Sequence, residues 1–357
     1  MRGGERVLEQ LLDYAPQAPI FTLFHFEGSV SAKIEAHPVV ASYLQEVPSS
    51  EKHYRRYLPL FPSAIEAFDL GGYDLIVSSS HCVAKGAITR PDAYHLCYCH
   101  TPMRYIWDQE QAYFPQRSGP VAWVRRQLLS ELRTWDVASA SRVDLYVANS
   151  SFVAWRIQEY YGRSAEVVHP PVDVAYFTPD ASERGNFCLA VSALSPYKRL
   201  DLAIEACDRA AVELRIVGAG PQRAELEQKA AGTRTRFLGR VEANELRQLY
   251  RTAGCFLQSG TEDFGIATVE ALASGLPVVA VGVGGVLDIV ENGLHGVLTD
   301  PGANPAELAE AIDKAKRIRF NEDVLRGKSE QFSATRFRES MQSLLEEHPT
   351  DLTRIGS

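Results

Sequence analysis

The chain has 357 residues, 45% of them apolar and 23% charged, with a formal net charge of −8 at pH 7. This is ordinary globular composition, which excludes collagen-like, disordered and disulfide-scaffold classes, and at roughly 150 residues per domain the length predicts two domains. Both halves are mildly acidic, −2 over residues 1–170 and −6 over 171–357, so there is no basic domain or stripe to hold nucleic acid.

In chain order, short β-branched apolar runs alternate with helix-period segments, the pattern of parallel sheets in an α/β protein. The first half offers helix Glu5–Asp13 and strands Ile20–Phe24, Asp74–Ser78, Ala93–Cys99 and Leu145–Ala148, with a long helix over Val121–Ala140. Paired prolines in Val168-His169-Pro170-Pro171-Val172-Asp173 stop helix and sheet pairing alike and place a linker there. The second half predicts strands Phe187–Val191, Glu213–Val217, Thr235–Leu238, Cys255–Gln258 and Pro277–Val281. Helices Arg199–Ala211, Pro221–Ala231, Ala243–Thr252, Ile266–Ala273 and Val286–Glu291 alternate with them. Glycine-bearing turns at 218–220, 260–265 and 282–285 all follow strand ends, the edge at which open α/β sheets hold ligands. Ser333–Glu347 reads as an amphipathic helix with Phe337, Met341 and Leu345 on one face.

The six cysteines contain no Cys-x-x-Cys pair and are too irregular for a disulfide framework or a zinc site. Cys97 and Cys99 alternate on one face of a strand, as buried structural thiols. No apolar run reaches the roughly 18 residues needed to span a bilayer, and the N-terminus lacks a signal-peptide layout. The expected location is the cytoplasm or the inner membrane face. Lys52, Arg55, Arg56, Trp123, Arg125 and Arg126 could meet an anionic membrane, although a solvated helix face suits them better.

Three segments carry candidate chemistry. Gly260-Thr261-Glu262-Asp263-Phe264-Gly265-Ile266-Ala267-Thr268-Val269-Glu270 runs from a strand end into a helix whose first N–H groups fit a phosphate. Glu270, one turn further in, suits vicinal hydroxyls such as those of a ribose, although both glutamates also suit an ordinary surface. Ser195-Pro196-Tyr197-Lys198-Arg199 brings two cations to the same sheet edge, where they would meet a diphosphate gaining charge as it leaves; a solvated basic turn is the bland alternative. His100 closes the strand Cys97-Tyr98-Cys99 before Thr101-Pro102 breaks it, and His81 after Ser78-Ser79-Ser80 is a weaker copy; a satisfied structural histidine is the commoner role of such a residue. Gly218-Ala219-Gly220 is followed by Arg223 where a dinucleotide fingerprint would need glycine. No Asp-x-Asp pair exists to hold a divalent metal with a nucleotide diphosphate, so neither a metal nor another cofactor is expected.

These segments resemble the family 4 glycosyltransferases of the GT-B fold, retaining enzymes that use nucleotide sugars. Glu262 and Glu270 match the family's E-x7-E signature. Ala271–Val279, the Gly284-Gly285 turn, Val217–Pro221 and Phe237–Val241 match around it. Gly3-Gly4-Glu5, Ser78–Cys82 and His100–Arg104 resemble a bacterial subgroup of mannosyl- and related hexosyltransferases of surface polysaccharides. The resemblance implies two Rossmann-like domains facing a cleft. Residues 1–170 would serve the acceptor, residues 171–330 the nucleotide sugar, and a helix in 331–357 would cross back to the first domain. It implies that Glu270 binds the donor ribose, Gly265 and Ile266 give N–H groups to phosphate or sugar, and Lys198 meets the diphosphate, with Arg199 beside it. Glu262 would contact the hexose, His100 would lie beside the reacting sugar, and Gly4 would belong to the first strand-to-helix loop.

Two departures stand out: Ala193 occupies a position where the family often carries arginine, and no apolar strand precedes Gly3-Gly4. The second predicts a first domain without its usual first strand, and with it weak activity or association between chains. The expected function is therefore transfer of a hexose, mannose first, from a nucleotide-diphosphate sugar to a glycan or lipid-linked acceptor. The alternatives are a nucleotide-sugar-binding or assembly protein without turnover, and, less well matched by the glutamate spacing, a GT-B-like epimerase or phosphorylase.

Overall fold

The structure, a computed structural model, describes residues 3–48, 50–109 and 119–347. Its contacts divide the chain between Pro170 and Pro171 and again between Phe337 and Arg338, giving two units.

The first unit contains β1 (Ile20–Thr22), β2 (Val39–Ala41), β3 (Leu75–Ser80), β4 (Tyr94–Cys99), β5 (Leu145–Ala148) and β6 (Glu166–Val167). Its helices are α1 (Gly3–Leu11), α2 (Ala32–Glu35), α3 (Ser50–His53), α4 (Phe61–Glu66), α5 (Arg104–Trp107), α6 (Pro120–Ser139) and α7 (Ser151–Tyr161). β3 to β6 form a parallel sheet in that order, while β1 and β2 pair parallel in a sheet of their own. Central β4 is buried along nearly its whole length, which is why it reads as a continuous apolar run rather than an alternating one. In α7 the Ser150 hydroxyl accepts from the Val153 N–H, and Gly162 in the left-handed region ends the helix.

The second unit is a single wind of β7 (Phe187–Val191), α8 (Leu200–Arg209), β8 (Glu213–Val217), α9 (Arg223–Lys229), β9 (Thr235–Gly239) and α10 (Ala243–Thr252). It continues through β10 (Cys255–Gln258), α11 (Ile266–Ala273), β11 (Val278–Val281), α12 (Val286–Ile289), β12 (Gly296–Thr299), α13 (Pro305–Arg317) and α14 (Glu322–Glu330). All six strands are parallel in the order β12-β11-β10-β7-β8-β9. Apolar clusters cover both faces. The last helix, α15 (Ala334–Glu347), buries Phe337, Met341 and Leu345. From Arg338 onward it belongs to the first unit, where the Tyr14 hydroxyl donates to the Arg338 carbonyl at 2.7 Å.

Three expectations need correction. Gly3 and Gly4 lie in the first turn of α1 rather than in a loop, a place where backbone N–H groups need no intrahelical acceptor. Met1 and Arg2 lie outside the described residues, and among those described no strand precedes α1. The strand expected over Ile20–Phe24 stops at Thr22, whose hydroxyl turns back to the Phe24 carbonyl. β2, β6 and β12 have no counterpart among the expected strands; β2 and β6 are only three and two residues long, and a glycine, disfavoured in strands, opens β12. Here a Cβ at Gly296 would sit 1.9 Å from the Val278 carbonyl oxygen, so glycine is what lets β12 close onto β11.

A buried ion pair holds the first unit's helices together. Lys85 and Asp136 are 1% and 0% exposed, with Nζ 3.1 Å from Oδ1. Lys85 also donates to the Ser139 hydroxyl at 2.7 Å. Asp136 Oδ2 accepts from Trp107 Nε1 at 2.8 Å and the Tyr161 hydroxyl at 2.9 Å. Removing one partner strands the other charge in a dry site. Lys85→Met should therefore cost about 3–5 kcal/mol in urea unfolding. Lys85→Met with Asp136→Asn, which removes both charges but keeps an acceptor, should cost less. Equal losses would show that packing, not charge, sets the penalty.

Candidate active site

The strand order of the second unit fixes where its candidate site lies. From β7 the chain winds outward through β8 and β9, then returns to the other side of β7 for β10 to β12. The chain segments that follow neighbours β7 and β10 therefore run to opposite sides of the sheet order, the arrangement that opens a crevice beyond the two strands' carboxyl ends. The loops that begin these segments carry Lys198 and Glu262.

Lys198 and Glu262 form an ion pair with side chains only 12% and 22% exposed. The Lys198 ammonium also lies 4.9 Å from the centre of the Tyr197 ring. The loops meet backbone to backbone. The Ser259 hydroxyl donates to the Lys198 carbonyl at 3.0 Å, and a Cβ on Gly260 would sit 2.3 Å from the Tyr197 carbonyl oxygen. A third loop closes on them: the Gly285 N–H donates to the Glu262 carbonyl at 2.9 Å, and Gly284 pairs with Glu262 as an isolated parallel bridge. Arg199 takes another course. With φ at 50° it turns the chain into α8, and its guanidinium lies on Asp201, 3.1 Å away, half-exposed.

Gly265, at φ 115°, opens α11. The Thr268 and Val269 N–H groups both return to its carbonyl, so the amides of Gly265, Ile266 and Ala267 have no intrahelical acceptor and carry the positive end of the helix dipole. The Thr268 hydroxyl donates to Gln258 Oε1 at 2.6 Å, pinning the helix start to the end of β10. Glu270, one turn in, is 5% exposed, and its Oε2 accepts from the Tyr250 hydroxyl at 3.0 Å. Gln258, Thr268 and Tyr250 had no signal in the sequence beyond their types.

In the first unit the same sheet edge builds a histidine site. His100 follows β4. Its Nε2 lies 2.8 Å from the Ser79 hydroxyl at the end of β3, and its carbonyl accepts from Asn149 Nδ2, just after β5, at 2.9 Å. The Tyr98 ring stands edge-on at 5.2 Å. A Cβ at Gly4 would lie 3.6 Å from His100 Nε2, so these two expected site residues are neighbours. Behind them Arg156, fully buried, donates to the Thr101 hydroxyl and to Asp108, each at 2.9 Å, and holds the turn after His100. Burial draws the His100 pKa down to about 3, with His81 acting in the same direction. His95, enclosed by Ser78 and the Arg142 carbonyl, is drawn to about 4 by burial.

Cys97, Cys99, Cys188, Cys207 and Cys255 are buried. Among the described residues no group of three or more His, Cys, Asp or Glu is placed to hold a metal ion. No described helix is long and apolar enough to cross a membrane. At the start of α6, Val121 and Trp123 are 72% and 63% exposed beside Arg125 and Arg126. The side chains of Lys52 and Arg55 lie outside the described residues.

Residues 1–176 match the family described as Glycosyltransferase Family 4, and residues 177–330 the one described as Glycosyl transferases group 1. The chain belongs to glycosyltransferase family 4. Similar curated family members include D-inositol 3-phosphate glycosyltransferases. That of Acidothermus cellulolyticus is 29% identical over 81% of this chain and 70% of the relative. That of Geodermatophilus obscurus is 35% identical over 49% of this chain and 45% of the relative. The chain thus spans about half the length of several relatives it matches. Among solved structures, Anabaena HepE in complex with UDP and glucose superposes with a TM-score of 0.70 at 20% identity, covering 97% of this chain and 96% of that one. Sucrose-phosphate synthase from Thermosynechococcus elongatus gives 0.69 at 19% identity, covering 95% and 90%. The shared fold is GT-B, an α/β fold of two Rossmann-like domains.

Both low histidine pKa values lie below the unfolded value near 6.5. As pH falls the unfolded chain takes up these protons first, so the neutral imidazoles stabilise fully above pH 6.5 and that contribution is lost as pH drops toward about 3. His100 and His95 ring resonances should therefore show no protonation between pH 8 and pH 5.5 in an NMR titration. A midpoint near 6.5 for His100 would mean that water reaches its ring.

Proposed function

We propose that this family 4 member is a retaining hexosyltransferase. It takes a hexose, mannose first among those to test, from a nucleotide-diphosphate sugar and transfers it to a glycan or lipid-linked acceptor. The observation that carries this reading is the Lys198–Glu262 ion pair at the switch point, in the loop that leads into the open amides of α11, with buried Glu270 one turn behind.

In this reading the second unit holds the nucleotide and the first serves the acceptor. Glu270 accepts hydrogen bonds from the ribose hydroxyls, and the Gly265 and Ile266 amides meet phosphate or sugar oxygens. Donor binding divides the ion pair between two tasks: Glu262 takes hexose hydroxyls and Lys198 turns to the diphosphate. As the bond from the anomeric carbon to the diphosphate oxygen breaks, charge grows on that oxygen, where a fixed cation and amides act most strongly. The acceptor hydroxyl attacks the same face, and its proton passes to the departing oxygen. In this reading neutral His100 would exchange hydrogen bonds rather than charge with the reacting sugar, with Gly4 next to its ring. Arg199, engaged with Asp201, adds to the local positive potential. The apolar and basic start of α6 is where an anionic membrane carrying a lipid-linked acceptor would meet the chain. The names of the relatives add D-inositol 3-phosphate to the acceptors to try.

Lys198→Ala should lower turnover about 10²- to 10³-fold while weakening nucleotide-diphosphate binding far less, because the charge it answers is largest in the transition state. Equal losses in both would remove Lys198 from the leaving-group role. Turnover should also persist in EDTA, and product NMR should show the donor's anomeric configuration. Binding of nucleotide sugars without any turnover would favour the binding-protein alternative.

A further inference from the structure

Glu270 presents a physical problem that the ribose assignment leaves open. A carboxylate 5% exposed has given up most of its water, and unless fixed donors replace that water it loses both its charge and its orientation. Tyr250 supplies such a donor, with its hydroxyl 3.0 Å from Oε2.

Tyr250 is itself fully buried on α10. Its ring stands perpendicular to Phe177 at 5.5 Å and tilted against Phe256 at 6.0 Å, so the hydroxyl has little freedom. The two helices are also tied at their ends. Arg184 donates through Nη1 to the Tyr250, Arg251 and Ala253 carbonyls and through Nη2 to the Ser274 carbonyl, at 3.0–3.3 Å. One guanidinium thus bridges the carboxyl ends of α10 and α11 and fixes the register in which Tyr250 meets Glu270.

We propose that Tyr250 is a positioning residue for nucleotide binding: its hydroxyl, held by the aromatic core, sets the plane of the Glu270 carboxylate in which that group receives two vicinal ribose hydroxyls. This rests on the proposed ribose role of Glu270. The residue acts through Glu270 and touches no substrate atom.

The test is a calorimetric titration with UDP and with GDP, the tighter binder being carried forward, on the whole chain as wild type, Tyr250→Phe, Glu270→Gln and the double variant. The matching 2′,3′-dideoxynucleoside diphosphate is titrated alongside. Glu270→Gln should weaken the ribonucleotide at least tenfold and Tyr250→Phe about three- to tenfold. The double variant should bind no more weakly than Glu270→Gln alone. The dideoxy ligand, which has no hydroxyls for the carboxylate, should bind wild type and Tyr250→Phe equally. That equality also serves as the folding control, since a collapsed pocket would lose both ligands. Wild-type affinity in Tyr250→Phe with a weakened Glu270→Gln would overturn the positioning role and leave the ribose role standing. The positioning role also falls if the two losses multiply in the double variant, or if both ligands weaken together. Wild-type affinity in Glu270→Gln, or no nucleotide binding by the wild type, would bring down the ribose assignment and Tyr250 with it.

Discussion

The Lys198–Glu262 pair is possible only because loops from β7 and β10 approach until their backbones touch, and glycine is what permits that approach. Side chains at 260, 284 or 285 would each collide with main-chain atoms of a neighbouring loop at 2.3–2.5 Å, a separation no Cβ tolerates. The switch in strand order supplies the crevice, the glycines let its walls close, and a lysine and a glutamate largely withdrawn from water face each other there. A charge pair so placed interacts more strongly than it would at an open surface, and it costs more to leave unpaired. In the proposed function a ligand carrying both a diphosphate and hydroxyls would take the place of each group's present partner.

The two units handle buried polar groups by the same means with different outcomes. In the first, Lys85 and Asp136 pair with each other, Lys85 also bonding Ser139 and Asp136 also accepting from Trp107 and Tyr161, and their arrangement holds helices. Arg156 is likewise committed to Thr101 and Asp108, holding the turn that follows His100. In the second unit Glu270 is backed by Tyr250 from inside the core, while Lys198 and Glu262 retain some exposure toward the crevice. Lys85 and Asp136 are fully enclosed and serve the fold, whereas Lys198 and Glu262 stand partly enclosed at a sheet's carboxyl edge with the candidate chemistry. His100 belongs with the latter: it stands at the edge of β4 with its ring beside Gly4, and burial keeps it neutral.

Much of this was legible along the chain. β5, β7, β8, β10, α10 and α11 are local patterns of β-branched runs and helical periods, and the structure gives them the bounds read from the sequence. The E-x7-E spacing, the lysine after β7 and the histidine closing β4 likewise announce themselves as residue types at strand ends. What was less legible sits where long-range contact overrides local preference. Gly296 enters a strand because Val278 lies against it, and Gly3 and Gly4 enter a helix.

The sequence by itself determined the α/β class, most of the order of elements and the strand ends that hold the candidate site, because periodicity and turn residues act over a few positions. Only the tertiary structure decided partners. Arg199 and Lys198 are adjacent and alike in charge, yet one is bound to Asp201 and the other to Glu262, since a left-handed turn at Arg199 sends their side chains to different neighbours. Tyr250 and Glu270 are twenty residues apart, and nothing in either segment requires their meeting. The packing of α10 beside α11 brings them within hydrogen-bond distance, and burial makes that bond matter.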